Sequence, residues 1–145
     1  MRELSVSVDI PVPPETVWRV LTDTSAYPQW NTLLRIDGEM SPGQTVDAQL
    51  SVPGLPTVSF SPEILTVDPG RELRWRSGFL GVSAEHAFLL EPIDGGSGTR
   101  FTQYEEISGP LTARVVDRLA RRLRRGFEQM NVGLRRYAVT VAGDG

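Results

Sequence analysis

The segment over residues 110–140 places the strongest constraint on how this chain can fold. It contains no proline after Pro110, and its apolar residues recur at steps of three and four, which predicts one long amphipathic helix. The apolar positions are Leu111, Val115, Leu119, Leu123, Phe127, Met130, Leu134 and Tyr137 or Ala138. Such a helix needs a large apolar surface to pack against, and residues 1–109 have to supply it.

The residues before this helix predict an antiparallel sheet. Residues 4–10 alternate between apolar and polar side chains, which is typical of a strand with one buried face. A short helix is predicted over 14–22, because proline and glutamate favour its first turn, and a second helical turn is predicted over 25–31. Further strand-like segments lie between turn residues, over 32–40, 45–52, 57–67, 71–78, 82–92 and 99–107. Sequential strands with short connections pair antiparallel, so we predict an α+β fold in which the long helix packs on a sheet of about seven strands.

Composition excludes several kinds of site. The chain of 145 residues has no cysteine and a single histidine, His86. Disulfides, thiolate-bound metals, cysteine nucleophiles and sites with several imidazoles are therefore excluded, and we expect no metal and no cofactor. The net charge of −3 argues against wholesale binding to nucleic acid.

The apolar runs are too short for a signal peptide or a membrane span. We therefore expect a cytoplasmic protein without integral membrane association, either a monomer or a homodimer. The length fits a single domain over 1–140, followed by a disordered tail over 141–145.

The last predicted hairpin brings polar side chains onto the buried face of the sheet. With its loop near 95–96, the strands pair through three inward-facing couples, namely Leu90 with Phe101, Phe88 with Gln103 and His86 with Glu105. A buried polar group without a partner costs about 1–3 kcal/mol. The inward polar groups therefore either satisfy one another or line a cavity that admits water or a ligand.

Several stretches of the chain, taken in order, resemble a known superfamily. They are IPVPPETVW at 10–18, LTD at 21–23 with YPQWN at 27–31, VDPGRELRW at 67–75, HAFLLEP at 86–92, and GTRF at 98–101 continuing to Gly109. In these stretches the sequence is similar to START-like proteins, also called the SRPBCC group, and to their polyketide cyclase/dehydrase-type members. The resemblance implies a helix-grip fold, with a hydrophobic cavity between a curved sheet and the long helix. It is compatible with lipid carriers, aromatic-polyketide cyclases and stress-response proteins alike.

The first hypothesis for function is a binding module for a small hydrophobic or amphipathic molecule, such as a lipid, an aromatic compound or a polyketide. His86, Gln103 and Glu105 would orient the polar end of that molecule. The other ligand-binding candidates are Phe60, Leu73, Trp75, Phe88, Leu90, Phe101, Phe127, Met130 and Leu134 as apolar walls, with Trp30 near the mouth.

The second hypothesis is an enzyme of the cyclase or dehydratase type that uses the same cavity. Moving protons on a poly-keto chain needs a base near an acidic CH₂ group and a donor near a carbonyl, and His86 and Glu105 are the inward titratable pair. The ordinary alternatives are a structural histidine bonded to a neighbouring strand, and a salt bridge between Glu105 and an arginine.

Charge is divided unevenly along the chain, with +6 over residues 110–140 and −8 over residues 1–109. The densest positive cluster comprises Arg118, Arg121, Arg122, Arg124 and Arg125. The ordinary interpretation is a solvated helix face, and the alternative is a surface for an anionic partner such as an acidic carrier protein or an acidic membrane surface. Since no aromatic residue interleaves with these arginines, single-stranded nucleic acid is disfavoured.

Overall fold

The computed structural model describes residues 2–79, 81–109 and 112–144, and its elements follow the predicted order. They are β1 (Arg2–Ile10), α1 (Pro14–Thr22), a 3₁₀ turn (Thr24–Gln29), β2 (Leu34–Asp37), β3 (Asp47–Leu50), β4 (Val58–Phe60), β5 (Glu63–Asp68), β6 (Glu72–Phe79), β7 (Val82–Ile93), a second 3₁₀ turn (Asp94–Gly96), β8 (Gly98–Ser108) and α2 (Thr112–Asp144). The predicted α+β class is confirmed, as are the two short helical segments after the first strand and the long C-terminal helix. Pro110 and Leu111, predicted at the start of that helix, lie outside the described residues.

The strands form two antiparallel sheets that are joined through the backbone. The larger sheet has the order β1-β8-β7-β6-β5, and the smaller has the order β2-β3-β4. Between them the amides of Gly43 and Val46 donate to the carbonyls of Ile64 and Pro62, at 2.8 and 3.1 Å. The smaller sheet therefore continues the larger one, and the two together present an inner face to α2.

One predicted strand is wrong. The segment over 57–67 is two strands, β4 and β5, which belong to different sheets. The break falls at Ser61 and Pro62, because proline has no N–H group to donate to a strand ladder. The carbonyl of Pro62 is still used, since it accepts the bond from Val46 that joins the two sheets.

The apolar stripe of α2 packs on the inner face of the sheet. Phe127, Met130, Leu134 and Ala138 are each at most 3% exposed. The helix continues to Asp144, whereas the sequence predicts a disordered tail from residue 141. Val141 packs against the core and extends the stripe by one step of three residues, which accounts for the longer helix. Among the described helices, none combines the length and the hydrophobicity that crossing a membrane requires.

Two glycines let α2 approach the segment between the first 3₁₀ turn and β2. Gly126 and Gly133 lie seven residues apart, so both are on the same side of the helix. A Cβ atom at Gly126 would lie 2.8 Å from the Leu33 side chain, and one at Gly133 would collide with the carbonyl oxygen of Trp30. The helix can sit this close only because neither position carries a side chain.

Tyr27 fixes the first 3₁₀ turn to α1. Its ring is fully buried and its hydroxyl donates to the carbonyl oxygen of Leu21. Burial, assisted by the charge of Asp23, raises the pKa of Tyr27, so the hydroxyl stays protonated and keeps donating this bond.

The free edge of β1 is covered by arginines of α2. Arg124 Nη1 donates to the carbonyl of Ser5 at 3.2 Å, and Arg135 Nε donates to the carbonyl of Asp9 at 3.2 Å. These bonds occupy acceptors that an exposed edge strand would otherwise offer to another chain. Some of the positive charge on α2 therefore has a structural role.

Replacing a glycine inside a helix by alanine usually stabilises a protein, but the close approach at Gly133 predicts that alanine there lowers stability. Gly133→Ala should lower the free energy of unfolding by about 1–3 kcal/mol, because the new methyl group pushes the helix away from Trp30. Gly143→Ala is the matched control, since a Cβ there meets no atom within 4 Å. It should be neutral or stabilising by up to about 1 kcal/mol. Urea unfolding of both variants measures the difference, and equal stability would contradict the proposed contact.

Candidate functional site

A cavity of about 210 Å³ lies between the inner face of the sheet and the first half of α2. Its walls are mostly apolar and come from both sheets. The mouth lies beside β3 and β4, where Val58 is 47% exposed and Leu50 and Phe60 are half-buried. The lining residues are Leu33, Leu34, Leu50, Val58, Ser59, Phe60, Trp75, Ser77, Gly78, Val82, Ala84, His86, Gln103, Glu105, Ile107, Leu123 and Phe127.

Side-chain size along the strands explains where the space lies. The inward positions of β7 are Val82, Ala84, His86, Phe88 and Leu90. Phe88 fills the volume under the helix at one end, whereas Ala84 on β7 and Ser77 on β6 are too small to do so at the other end. The cavity therefore occupies the end of the sheet next to the turn between β6 and β7.

The structure brings fewer than half of the predicted ligand-binding residues to this cavity. Phe60, Trp75, His86, Gln103, Glu105 and Phe127 line it. The others are buried in the filled part of the core and do not line it, namely Trp30, Leu73, Phe88, Leu90, Phe101, Met130 and Leu134. Their large side chains pack on one another in the hydrophobic core.

Trp30 differs most clearly from its predicted place near the mouth. It is only 8% exposed, and its ring packs edge-on against Tyr27 at 5.0 Å and stacks on Tyr137 at 6.4 Å. This position follows from the close approach of α2 at Gly133.

The lining residues that the sequence did not single out come mainly from the smaller sheet and from the turn between β6 and β7. Leu34, Leu50 and Val58 belong to the first group, and Leu33 directly precedes β2. The sequence shows that these residues are apolar, but it does not indicate which face of each strand packs toward the helix. The second group could have been predicted from the sequence, because the inward residues of β7 change from the large Phe88 to the small Ala84.

The predicted register of the β7–β8 hairpin is confirmed. Its inward pairs are His86 with Glu105, Phe88 with Gln103 and Leu90 with Phe101. His86 and Gln103 are 4% and 0% exposed, and the Glu105 side chain is 15% exposed. The three polar groups therefore lie together on the inner face, as the parity of the strands predicts.

Gln103 links the sheet to α2. Its Nε2 group donates to the backbone carbonyl of Phe127 at 3.1 Å and to Oδ1 of Asn131 at 2.8 Å. Asn131 Nδ2 lies 3.5 Å from the carbonyl of Val6. Because a backbone carbonyl can only accept, these partners fix the orientation of the Gln103 amide.

This orientation determines the hydrogen bonding of His86. The Oε1 atom of Gln103 lies 3.1 Å from His86 Nε2, so Nε2 must carry a hydrogen and donate. The other ring nitrogen, Nδ1, is bonded to Oε2 of Glu105. The imidazole is therefore held from both sides, by Gln103 at Nε2 and by Glu105 at Nδ1.

Aromatic rings hold the imidazole in place. Trp75 stacks on it with ring centres 5.7 Å apart, and Phe88 and Phe127 contact it edge-on at 4.6 and 5.1 Å. The sequence left open whether the polar groups pair or line a cavity, and the structure has them do both. Such a fixed proton-carrying pair on an apolar wall can orient a ligand or exchange a proton with it.

The arginine cluster of α2 lies next to the cavity mouth. Arg122 Nη1 donates to the carbonyl of Gly54 at 3.0 Å, in the loop between β3 and β4. The two strands on either side of that loop provide Leu50 and Val58 to the cavity wall. Around the same loop Arg118, Arg121 and Arg125 border an open surface groove.

Comparison with known protein families finds one match over nearly the whole chain. A sequence profile described as "Polyketide cyclase / dehydrase and lipid transport" matches residues 1–139. The Mycobacterium tuberculosis protein named Toxin Rv0910 is 33% identical over 61 residues, which are 39% of this chain and 42% of that protein. The chain thus matches less than half the length of this curated relative.

Solved structures share the fold. The Zhui aromatase/cyclase from Streptomyces sp. R1128 aligns with a TM-score of 0.75 at 18% identity, over 94% of this chain and 93% of that one. DynU16, from the dynemicin biosynthetic locus, aligns with a TM-score of 0.71 at 25% identity, over 95% of this chain and 47% of that one. These likenesses confirm the predicted helix-grip arrangement of sheet and helix.

Proposed function

Because the chain belongs to the polyketide cyclase/dehydrase and lipid transport family, as the sequence resemblance predicts, we propose that it binds a small hydrophobic or amphipathic molecule in the cavity under α2. The observation that carries this proposal is the mostly apolar cavity with the His86–Glu105 pair on its wall. An apolar space inside a protein forfeits packing contacts that larger side chains would supply. A bound ligand would supply those contacts, which accounts for a cavity that the side chains of the protein leave unfilled.

The dimensions of the cavity limit the ligand. Its volume of about 210 Å³ is below the range of roughly 300–1,000 Å³ that is typical for pockets of drug-sized ligands. The buried part of the ligand is therefore small, such as one or two fused rings or a short acyl segment. A longer molecule would extend through the mouth beside Val58.

Filling the cavity should abolish binding. Ala84→Phe places a large ring in the space without removing a hydrogen bond, so the affinity for 2-methoxynaphthalene, an uncharged two-ring probe, should fall at least about tenfold, the loss of roughly 1.4 kcal/mol of contact. Ser83→Phe adds the same ring to the exposed neighbouring residue and should leave the affinity unchanged. Calorimetric titration of the folded variants measures both, and binding that is insensitive to Ala84→Phe would exclude this cavity as the site.

A second candidate function is catalysis of cyclisation or dehydration in the same cavity, and the His86–Glu105 pair favours it. Glu105 as the carboxylate can take a proton from a carbon between two carbonyl groups. The carbanion then adds to a second carbonyl carbon of the chain, which closes the ring, and the carbonyl oxygen that becomes negative takes a proton from the His86–Glu105 pair. Gln103 would act as a positioning residue, because it keeps the Nε2 hydrogen out of this exchange.

The catalytic candidate predicts loss of rate without loss of binding. Glu105→Gln and His86→Ala should each slow the cyclisation of a short poly-β-keto thioester by about 10²–10⁴-fold. Glu106→Gln, on the outer face of the same strand, should keep the full rate. Product formation is followed against the buffer reaction, and wild-type protein that gives no acceleration over buffer would remove this candidate.

We also propose an acidic protein partner, such as a carrier protein, at the arginine cluster beside the mouth. Arg118, Arg121 and Arg125 are exposed there and form no ion pair with another described residue. Their position supports a partner that delivers or receives the ligand. Arg122 and Arg124 contribute less to this surface, since both hold backbone carbonyls of this chain.

Charge reversal tests this partner. Arg121→Glu with Arg125→Glu should abolish binding of an immobilised acidic carrier protein at low salt, because complementary charge is removed from the surface. Arg19→Glu with Arg136→Glu changes the net charge equally at exposed positions elsewhere and should keep binding. Surface plasmon resonance at rising ionic strength is the measurement, and equal binding of the two double variants would contradict a specific surface.

A further inference from the structure

The polar groups on the cavity wall are largely used by the protein itself. Gln103 accepts from His86 through Oε1 and donates through Nε2 to two acceptors on α2. Both ring nitrogens of His86 are bonded as well. Because both side chains are buried and each of their polar atoms already has a partner, neither presents a free polar atom to a ligand. This differs from the expectation that all three polar residues orient the ligand.

Glu105 is different, because one of its oxygens remains open. Its Oε2 atom is bonded to His86, whereas Oε1 receives no hydrogen bond from any described residue. The side chain is 15% exposed and lines the cavity. Among the other polar lining residues, Ser59 and Ser77 carry hydroxyls that can donate or accept, and Trp75 carries an indole N–H that can only donate. The carboxylate of Glu105 can only accept.

The charges of the residues around the cavity also limit which ligands can bind. None of the described lining residues is an arginine, and the chain contains no lysine. The imidazole of His86 is already paired with Glu105. A ligand carboxylate would therefore lose its water without gaining a counter-charge, and it would approach the carboxylate of Glu105.

We infer that this cavity selects molecules whose apolar body ends in a hydrogen-bond donor, such as a hydroxyl or an ammonium group, and discriminates against carboxylates. The donor bonds to Oε1 of Glu105 while the apolar body fills the space under α2. This inference rests on the proposed ligand-binding function and specifies its ligand class. Free fatty acids and aromatic acids are thereby poor ligands, whereas phenols, alcohols and amines are good ones.

Three compounds with the same ring system test the selectivity at neutral pH. They are 2-naphthol, which carries a donor, 2-methoxynaphthalene, which has none, and 2-naphthoate, which is an anion. We expect 2-naphthol to bind about tenfold more tightly than 2-methoxynaphthalene, as one added hydrogen bond to a charged group allows. We expect 2-naphthoate to bind at least about tenfold more weakly than 2-methoxynaphthalene.

Glu105→Gln should level this order. Because Nε2 of His86 carries the ring hydrogen, Nδ1 accepts from the NH₂ group of the new side chain, whose oxygen then faces the cavity as an uncharged acceptor. The affinity for 2-naphthoate should rise about tenfold because no carboxylate faces it, and the advantage of 2-naphthol should shrink, since hydrogen bonds to neutral groups are weaker than those to charged groups. Glu106→Gln removes the same charge from the outer face and should leave the wild-type order unchanged.

The outcomes separate this inference from the function on which it rests. If the three compounds bind wild-type protein equally, and Ala84→Phe blocks all of them, the cavity binds ligands but the selectivity by Glu105 is wrong. If none of the three binds at millimolar concentration, the proposed function fails, and the inference fails with it. If Glu105→Gln does not fold, the order of the three affinities in the wild-type protein decides alone.

Discussion

The hydrogen bonds of Gln103 determine where α2 sits, and the rest of the structure depends on that position. They join the centre of the sheet to the backbone of Phe127 and to Asn131 in a region closed to water. Leaving a buried polar group unsatisfied costs about 1–3 kcal/mol, so a shifted helix would be disfavoured. At Gly133 the helix meets the backbone of Trp30, which excludes a shift in that direction as well. The cavity is the space that this fixed helix does not fill.

The same glutamine connects the fold to the chemistry of the site. Because α2 fixes the amide of Gln103, the amide fixes which nitrogen of His86 donates, and the remaining nitrogen is directed to Glu105. The pair is therefore set in place before any ligand arrives, and a ligand needs to reorganise none of it. Structural stability and the arrangement of the site are consequences of one chain of hydrogen bonds.

The strand parity and the helical stripe were sufficient to predict the hairpin register and the packing of α2. The pairing of His86 with Glu105 could be predicted because side chains alternate between the two faces of a strand, and the position of the hairpin loop sets the register of β7 against β8. The break at Pro62 was less visible, since it depends on which strand each half joins. The extent of the cavity could not be predicted, because Met130 and Leu123 share one stripe, and only the facing residues decide which of them borders open space.

Two stretches of α2, residues 117–125 and residues 126–138, differ in how well the protein packs them. Between Asp117 and Arg125 only Ala120 is buried, whereas the following turns bury Phe127, Met130, Leu134 and Ala138. The cavity lies where these two stretches meet, at Leu123 and Phe127. A bound ligand would add apolar contacts where the chain itself provides few, and a ligand that binds only the folded state stabilises it by mass action. If the proposed ligand binds, it would therefore favour the seating of α2 around Leu123, because it would take the place of core side chains that this end of the sheet lacks.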